Sequence, residues 1–326
     1  MQYRDFGKTG LKVSEMIFGG GNVGGLLIRQ DDDTKRKAIR TALDAGINWI
    51  DTAASYGPEI SEESLGWLLN EIDDTPFVST KFRIHLDSPD DVATQIENSL
   101  MGSLKRLRRD SVDLLQLHNH IAPEAGGRAI TVDHVLGPNG VADGLDRLRD
   151  KGLIKFAGIT ALNDAESVRA VIESGRIDSA QIYYNILNPS AGQAMPDGWK
   201  GHDLGNIIAS CKANGVAVMA IRVLAAGVLA TTERHGREGM ITKDTDLANE
   251  ERSANAILDA LGSEYGTPAQ TALRFAISHP DLSGAIVGMA ELSHLDEALA
   301  AVALGPLPQE ALDRIQAVYA ANFGAS

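Results

Sequence analysis

Short apolar runs alternate along this chain with longer segments of helical period. The runs that read as strands are "SEMIF" (14–18), "NWI" (48–50), "PFVST" (76–80), "VDLLQL" (112–117), "KFAGI" (155–159), "AQIYY" (180–184), "VAVMA" (216–220) and "GAIV" (284–287). They lack the strict alternation of a sheet with one wet face, so they suit a parallel sheet covered on both sides. Between them, residues 92–107 put Val92, Ile96, Leu100, Leu104 and Leu107 on one helical face. Ser88 is the expected N-cap of that helix, with Pro89 at its first position and Asp90 and Asp91 at its positive end. Further helices are expected over 33–45, 61–70, 140–151, 163–174, 203–214, 251–279 (broken near Gly266) and 292–302. Eight strands, each followed by a helix, predict an α/β fold: the (β/α)8 TIM barrel.

Three stretches fall outside that repeat. The opening "MQYRDFGKTGLKV" reads as a β-hairpin turned at Lys8-Thr9-Gly10 and capping the barrel bottom. Residues 119–139 and 223–250 are long, polar, glycine-bearing insertions. Both follow strands, which assigns them to the face where barrel enzymes build their sites. No linker or internal repeat interrupts the pattern, so residues 1–326 are expected to form one domain. Composition narrows the function classes. With 30 basic and 44 acidic residues the net charge is −14, which argues against partners such as nucleic acid or an anionic membrane. A single cysteine, Cys211, permits no disulfide within the chain. The charged N-terminus lacks an apolar signal core, and no apolar stretch approaches a membrane span, so the expected compartment is the cytoplasm.

The informative polar residues are those at strand ends. Asp51 follows the second strand, Lys81 the third and His118 the fourth, while Tyr56 sits in the loop after Asp51. A phenol with a pKa near 10 is a poor proton donor or acceptor at neutral pH. A nearby ammonium favours the phenolate, and a carboxylate keeps that ammonium charged and oriented. An imidazole opposite can hold a substrate oxygen in line. The set suits proton transfer to an oxygen while a hydride arrives at the attached carbon.

With these residues in order, the chain resembles the aldo-keto reductase superfamily over essentially its whole length. "YRDFGKTGLKVSEMIFGGG" is similar to the family's N-terminal hairpin and first strand, and "DTAASYG" to its Asp-Thr-Ala-x-x-Tyr-Gly segment. "STK" carries the lysine and "DLLQLHN" the histidine. The resemblance implies a catalytic tetrad of Asp51, Tyr56, Lys81 and His118, with Tyr56 as general acid/base and His118 orienting the carbonyl. It also implies a nicotinamide cofactor, NAD(H) or NADP(H), laid across the barrel mouth. Gly19 to Gly21, including Gly20 and Gly21, would let backbone approach the nicotinamide ribose. "GIT" (158–160) would set Thr160 against the carboxamide, although Ala161 replaces the usual Asn. "QIYYN" (181–185) would add Gln181 and Tyr184. Where the family reads Ala-Tyr-Ser-Pro-Leu this chain has "AIRVLAAG" (220–227), so Ile221 cannot stack as an aromatic would, and Arg222 could reach the pyrophosphate. Leu224, Gly288 and Asp51 complete the implied cofactor contacts.

Cofactor choice turns on "IVGMAELSHLDEA" (286–298). Ala290 stands where a 2′-phosphate-binding cation would, Glu291 follows, and Ala298 replaces the usual helix Asn. A carboxylate there would repel a phosphate and could accept from ribose hydroxyls, which favours NAD(H). Asn119, His120 and Trp199 are expected to border the pocket for a small carbonyl or alcohol substrate. Polar loop residues, among them Arg128, His134 and Arg234, suit a sugar or its lactone. Two alternatives stay open. His118 and His120, with His85 nearby, could ligate a metal in a barrel hydrolase, although no acid-rich motif follows the eighth strand, and no metal is expected. A non-catalytic cofactor-binding subunit is the other.

Overall fold

Parallel neighbours cannot be joined by a tight turn, and this chain supplies a helix at every crossover between barrel strands. The computed structural model describes residues 1–231, 236 and 246–324. It begins with an antiparallel hairpin, β1 (Tyr3–Asp5) and β2 (Lys12–Ser14). Then come β3 (Met16–Gly19), β4 (Trp49–Asp51), β5 (Phe77–Phe82) and β6 (Val112–Leu117). A small pair, β7 (His120–Ile121) and β8 (Ala129–Ile130), occupies the loop after β6. β9 (Ile154–Ala161), β10 (Ser179–Tyr183), β11 (Ala217–Ile221) and β12 (Gly284–Gly288) follow. Eight of these strands close a parallel barrel in the circular order β3-β4-β5-β6-β9-β10-β11-β12.

The helices ring that barrel. α1 (Leu26–Arg29) and α2 (Asp32–Asp44) follow β3, α3 (Ile60–Asn70) follows β4, and α4 (Val92–Leu107) follows β5. α5 (Val132–Leu136) and α6 (Val141–Asp150) follow β6 and its insertion, α7 (Ala165–Glu173) follows β9 and α8 (Ile207–Asn214) follows β10. α9 (Leu247–Leu261) and α10 (Pro268–Ser278) lie between β11 and β12, then α11 (Leu292–Leu304) and α12 (Gln309–Ala320) end the fold. No helix among the described residues is long and apolar enough to cross a membrane.

The expected elements and the observed ones differ in instructive places. The cap of α4 is Asp91, whose carboxylate accepts from Thr94 N at 2.8 Å. Ser88 instead accepts from Asp90 N at 3.2 Å, closing a turn ahead of the helix. A carboxylate three residues before Thr94 reaches the orphan amide, and Ser88 stands too early to do so. The expected break near Gly266 separates α9 from α10, where Thr267 and Gln270 form a reciprocal capping box with Pro268 in the first turn. α12 was not among the expected helices, although Ala311, Ile315 and Tyr319 recur at helical spacing and are all buried.

The hairpin closes the barrel from below. Phe6 packs with Val13, Ile17, Trp49, Leu114, Ala217 and Met219 in a separate apolar cluster, its ring 4.6 Å from that of Trp49. The turn touches the barrel at Gly7 (φ +53°), where any Cβ would collide with the Gly215 carbonyl. Lys8 N donates to that same carbonyl at 2.8 Å. The lower barrel is thus a dry plug, and the polar side chains of the strands are stacked above it.

Candidate active site

β4 does not stop before its acid: Asp51 is its last residue, paired in register with Ser79 of β5 and Gly19 of β3. The carboxylate is buried, at 2% exposure, and must be neutralised where it stands. Lys81 does this, with Nζ 2.6 Å from Asp51 Oδ2 and donating at 2.8 Å to Thr52 O. Asp51 Oδ1 accepts from Ser79 Oγ at 2.7 Å, Gln181 Nε2 at 2.7 Å and Gln116 Nε2 at 3.3 Å. Ion pairing alone rarely repays burial of two charges, and these further donors make the site tenable. Burial weighs against the Lys81 ammonium, but Asp51 and Tyr56 outweigh it and raise its pKa above the ordinary lysine value.

Tyr56 leaves the loop after β4 and points back over this pair. Lys81 Nζ lies 4.8 Å from the centre of its ring. His118, the first residue beyond β6, stands edge-on to the same ring, with centroids 6.0 Å apart at 86°. Its backbone N donates to Phe82 O at 2.8 Å, which ties it to β5. Burial, followed by the positive charges of Lys81, Arg83, His120 and Arg128, pushes the His118 pKa down to about 2. It is therefore a neutral imidazole at physiological pH. The four strand-end residues converge within one patch.

That patch forms part of the wall of a cavity of about 610 Å³. Asp51, Tyr56 and His118 line it together with Gly21, His120, Thr160, Gln181, Ile221, Arg222, Leu224, Gly288 and Ala290. Thr160 donates to Leu117 O at 3.0 Å, and His120 Nδ1 accepts from Asn163 at 2.8 Å. The chain leaves β11 through left-handed residues that are not glycine, Arg222 (φ 60°), Ala225 (φ 45°) and Ala226 (φ 56°). Such conformations cost on the order of 1–3 kcal/mol each and persist where the surroundings enforce them. Burial lowers the Arg222 pKa against the opposing pull of Tyr183, Tyr56 and Glu250. Burial also pushes the Glu250 carboxyl up to about 7, with Arg222 opposing.

Other expected site residues lie elsewhere. Lys81 and Gly20 sit just behind the cavity wall; a Cβ on Gly20 would lie 2.7 Å from Ser61 Oγ. Tyr184 stacks on Phe275 at 5.5 Å, away from the cavity. Glu291 is exposed at the start of α11, and the carboxylate of that helix that lines the cavity is Glu297, nearly two turns further on. Asn119 is buried as a clamp, accepting from Ile84 N at 2.9 Å and donating to Ile84 O at 3.0 Å and Arg128 O at 3.3 Å. Trp199 packs on Tyr319 and Phe323, and neither it nor Asn119 lines the cavity. His134 closes the capping box of α5, and Arg234 lies outside the described residues. No group of three or more His, Cys, Asp or Glu residues is arranged to hold a metal among the described residues.

Sequence reasoning overlooked Ser79, Gln116 and Arg83. Each stands two residues from a residue it did select, and a strand repeats its facing every second residue. Gln116 also depends on a neighbour: a Cβ on Gly158, its register partner in β9, would lie 3.0 Å from Gln116 Cγ.

Residues 15–320 match the Aldo/keto reductase family. The chain belongs to that family. It is 28% identical to the L-galactose dehydrogenase of Arabidopsis thaliana, over 98% of this chain and 94% of that protein. It is 29% identical to a D-threo-aldose 1-dehydrogenase of a Pseudomonas species, over 70% and 72% respectively. The holo form of the aldo-keto reductase AKR11C1 from Bacillus halodurans shares the fold, with a TM-score of 0.75, 21% identity and coverage of 98% and 96%. As a member of the aldo/keto reductase family the chain is an oxidoreductase.

Proposed function

We propose that this chain is a nicotinamide-dependent oxidoreductase acting on the carbonyl/alcohol pair of a small polyhydroxylated molecule, with Tyr56 as general acid/base. The observation that carries the reading is Lys81, held at 2.6 Å by Asp51 and 4.8 Å from the centre of the Tyr56 ring. An ammonium at that place can stabilise the negative charge that develops on the phenol oxygen as its proton moves. In the oxidising direction Tyr56 takes the hydroxyl proton of the substrate, and in the reducing direction it returns one to the carbonyl oxygen. The neutral His118 imidazole holds that oxygen in place. Asp51 keeps Lys81 charged, and the plug beneath excludes water from the pair. The names of two relatives, an L-galactose dehydrogenase and a D-threo-aldose 1-dehydrogenase, support a sugar substrate, and the second supports oxidation at carbon 1, the anomeric carbon of an aldose.

The cavity wall suits a dinucleotide. No atom lies within 4 Å of where a Cβ on Gly21 would stand, so its backbone is open to a ligand. Thr160 and Gln181 would hold the carboxamide, and the largely desolvated Arg222 would meet the pyrophosphate with charge-assisted bonds. A nicotinamide bound there supplies or accepts the hydride. We favour NAD(H): Ala290, His294, Glu297 and Ala298 line the cavity beside α11, with no Lys or Arg from that segment. The deciding experiment titrates both dinucleotides into the protein and follows reduction at 340 nm with a panel of hexoses. Tight binding with turnover of at least one sugar is expected. Failure to bind either dinucleotide would overturn the reading.

A further inference from the structure

Two arginines on the cavity wall stand together without a counter-ion. Arg83 lies two residues beyond Lys81, just past the end of β5, and Arg128 immediately precedes β8. Both line the cavity alongside Tyr56, His118 and His120. No hydrogen bond or ion pair joins either guanidinium to another group among the described residues, and Arg83 Nε is buried without a partner. Arg106 and Arg176 each hold two carboxylates, which shows how readily this acidic chain pairs its cations. Burial and then repulsion from Arg128 lower the Arg83 pKa. His118 and His120 on the same wall bring no negative charge, and both are pushed toward the neutral form by burial and by these same cations. Arg83 is half-buried and Arg128 exposed, so desolvation falls on Arg83, and an anion joining the pair would offset both that cost and the mutual repulsion.

The position of the pair points to the substrate rather than the dinucleotide. In the circular strand order β5 is opposite β11, and β6 is opposite β12. Arg222, Leu224, Gly288 and Ala290 follow or end β11 and β12, so the proposed cofactor wall faces the arginines across the mouth. Tyr56 and His118 follow β4 and β6, on the side of the arginine pair.

We propose that Arg83 and Arg128 form an oxyanion-binding subsite, so that the preferred substrate is a polyol or aldehyde bearing a carboxylate or phosphate. This rests on the hydride-transfer reading of the same cavity. Planar guanidiniums engage either group in bidentate fashion. The test compares kcat/KM for galactose, galacturonate and galactose 6-phosphate, and for butanal against 4-oxobutanoate. At low salt at least one charged compound is expected to exceed its neutral counterpart at least tenfold, and the better of the two anionic sugars identifies the oxyanion. In Arg83→Met or Arg128→Met that ratio is expected to fall tenfold or more, with Arg83→Lys retaining part of it. Equal use of neutral and charged compounds, or a ratio unmoved in both variants, would overturn the proposal. So would a tenfold loss of dinucleotide affinity in Arg83→Met, which would give the pair to the cofactor. Should no compound turn over, the hydride-transfer reading fails separately. Calorimetry with malonate and with inorganic phosphate then decides the subsite: binding that Arg83→Met abolishes supports it, and no binding to the wild type sinks it.

Discussion

The indole Nε1 of Trp49 donates to Ser79 Oγ at 2.9 Å, and that hydroxyl in turn donates to Asp51 at 2.7 Å. One serine thereby couples the apolar plug under the barrel to the carboxylate above it. Ser79→Ala leaves the indole N–H buried without an acceptor and removes a donor from Asp51. A loss of about 1–3 kcal/mol is expected, read from denaturant midpoints. Trp49→Phe in the same background removes the orphan N–H, so the double variant should lose less than the two single losses added together. Additive losses would count against the coupling.

Tyr56→Phe removes the proton-handling oxygen and little else. Turnover is expected to fall about 10²–10⁴-fold, while dinucleotide affinity stays within a few fold. A variant retaining more than about a tenth of wild-type turnover would remove Tyr56 from the acid/base role.

Lys81→Met strips the cation from a buried pair and leaves Asp51 charged among neutral donors. Breaking such a pair costs about 3–5 kcal/mol, and Asp51→Asn added to Lys81→Met should restore part of that stability without restoring activity. The wild-type pH dependence follows from the raised Lys81 pKa. A raised folded pKa contributes stability that is complete below the ordinary lysine value and is lost as pH rises through the folded value. Unfolding midpoints measured upward from pH 8 should therefore decline at the alkaline end in the wild type more than in Lys81→Met. Parallel curves would speak against a charged Lys81.

His118, with its pKa pushed from 6.5 down to about 2, should stay neutral across the pH range of most assays. The unfolded chain takes up a proton near the ordinary value, so the contribution to stability is complete above about 6.5. It is lost progressively as pH falls toward 2. Ring resonances of His118 that do not move between pH 8 and pH 5 would agree; a titration near 6.5 would mean the burial and the neighbouring cations are misjudged.

Cofactor choice gives the last test. Glu297 lines the cavity and Glu291 does not. Glu297→Arg is expected to shift the ratio of kcat/KM for NADP(H) over NAD(H) upward by tenfold or more, and Glu291→Arg by much less. A tenfold wild-type preference for NADP(H), or a larger effect at Glu291, would refute this reading of the α11 wall.

The eight barrel strands, the helix over residues 92–107 and the hairpin beneath were legible in the sequence, because burial on both faces and helical periodicity leave a local pattern. The strand-end tetrad was legible for a related reason. An acid, a lysine or a histidine stands out when it closes an apolar run, and the motif order placed the chain in its family. What the sequence did not carry was which neighbours meet across the barrel. Ser79 and Gln116 read as ordinary strand residues until register brings them to Asp51. Asn119 and Trp199 looked like pocket residues, and only packing shows the first clamping Ile84 and the second resting on α12. Glu291 and Glu297 look alike as letters; the helical turn between them decides which one faces the cavity. The unpaired state of Arg83 and Arg128 is likewise a tertiary fact, since whether a charge has a partner depends on distances that no local pattern encodes.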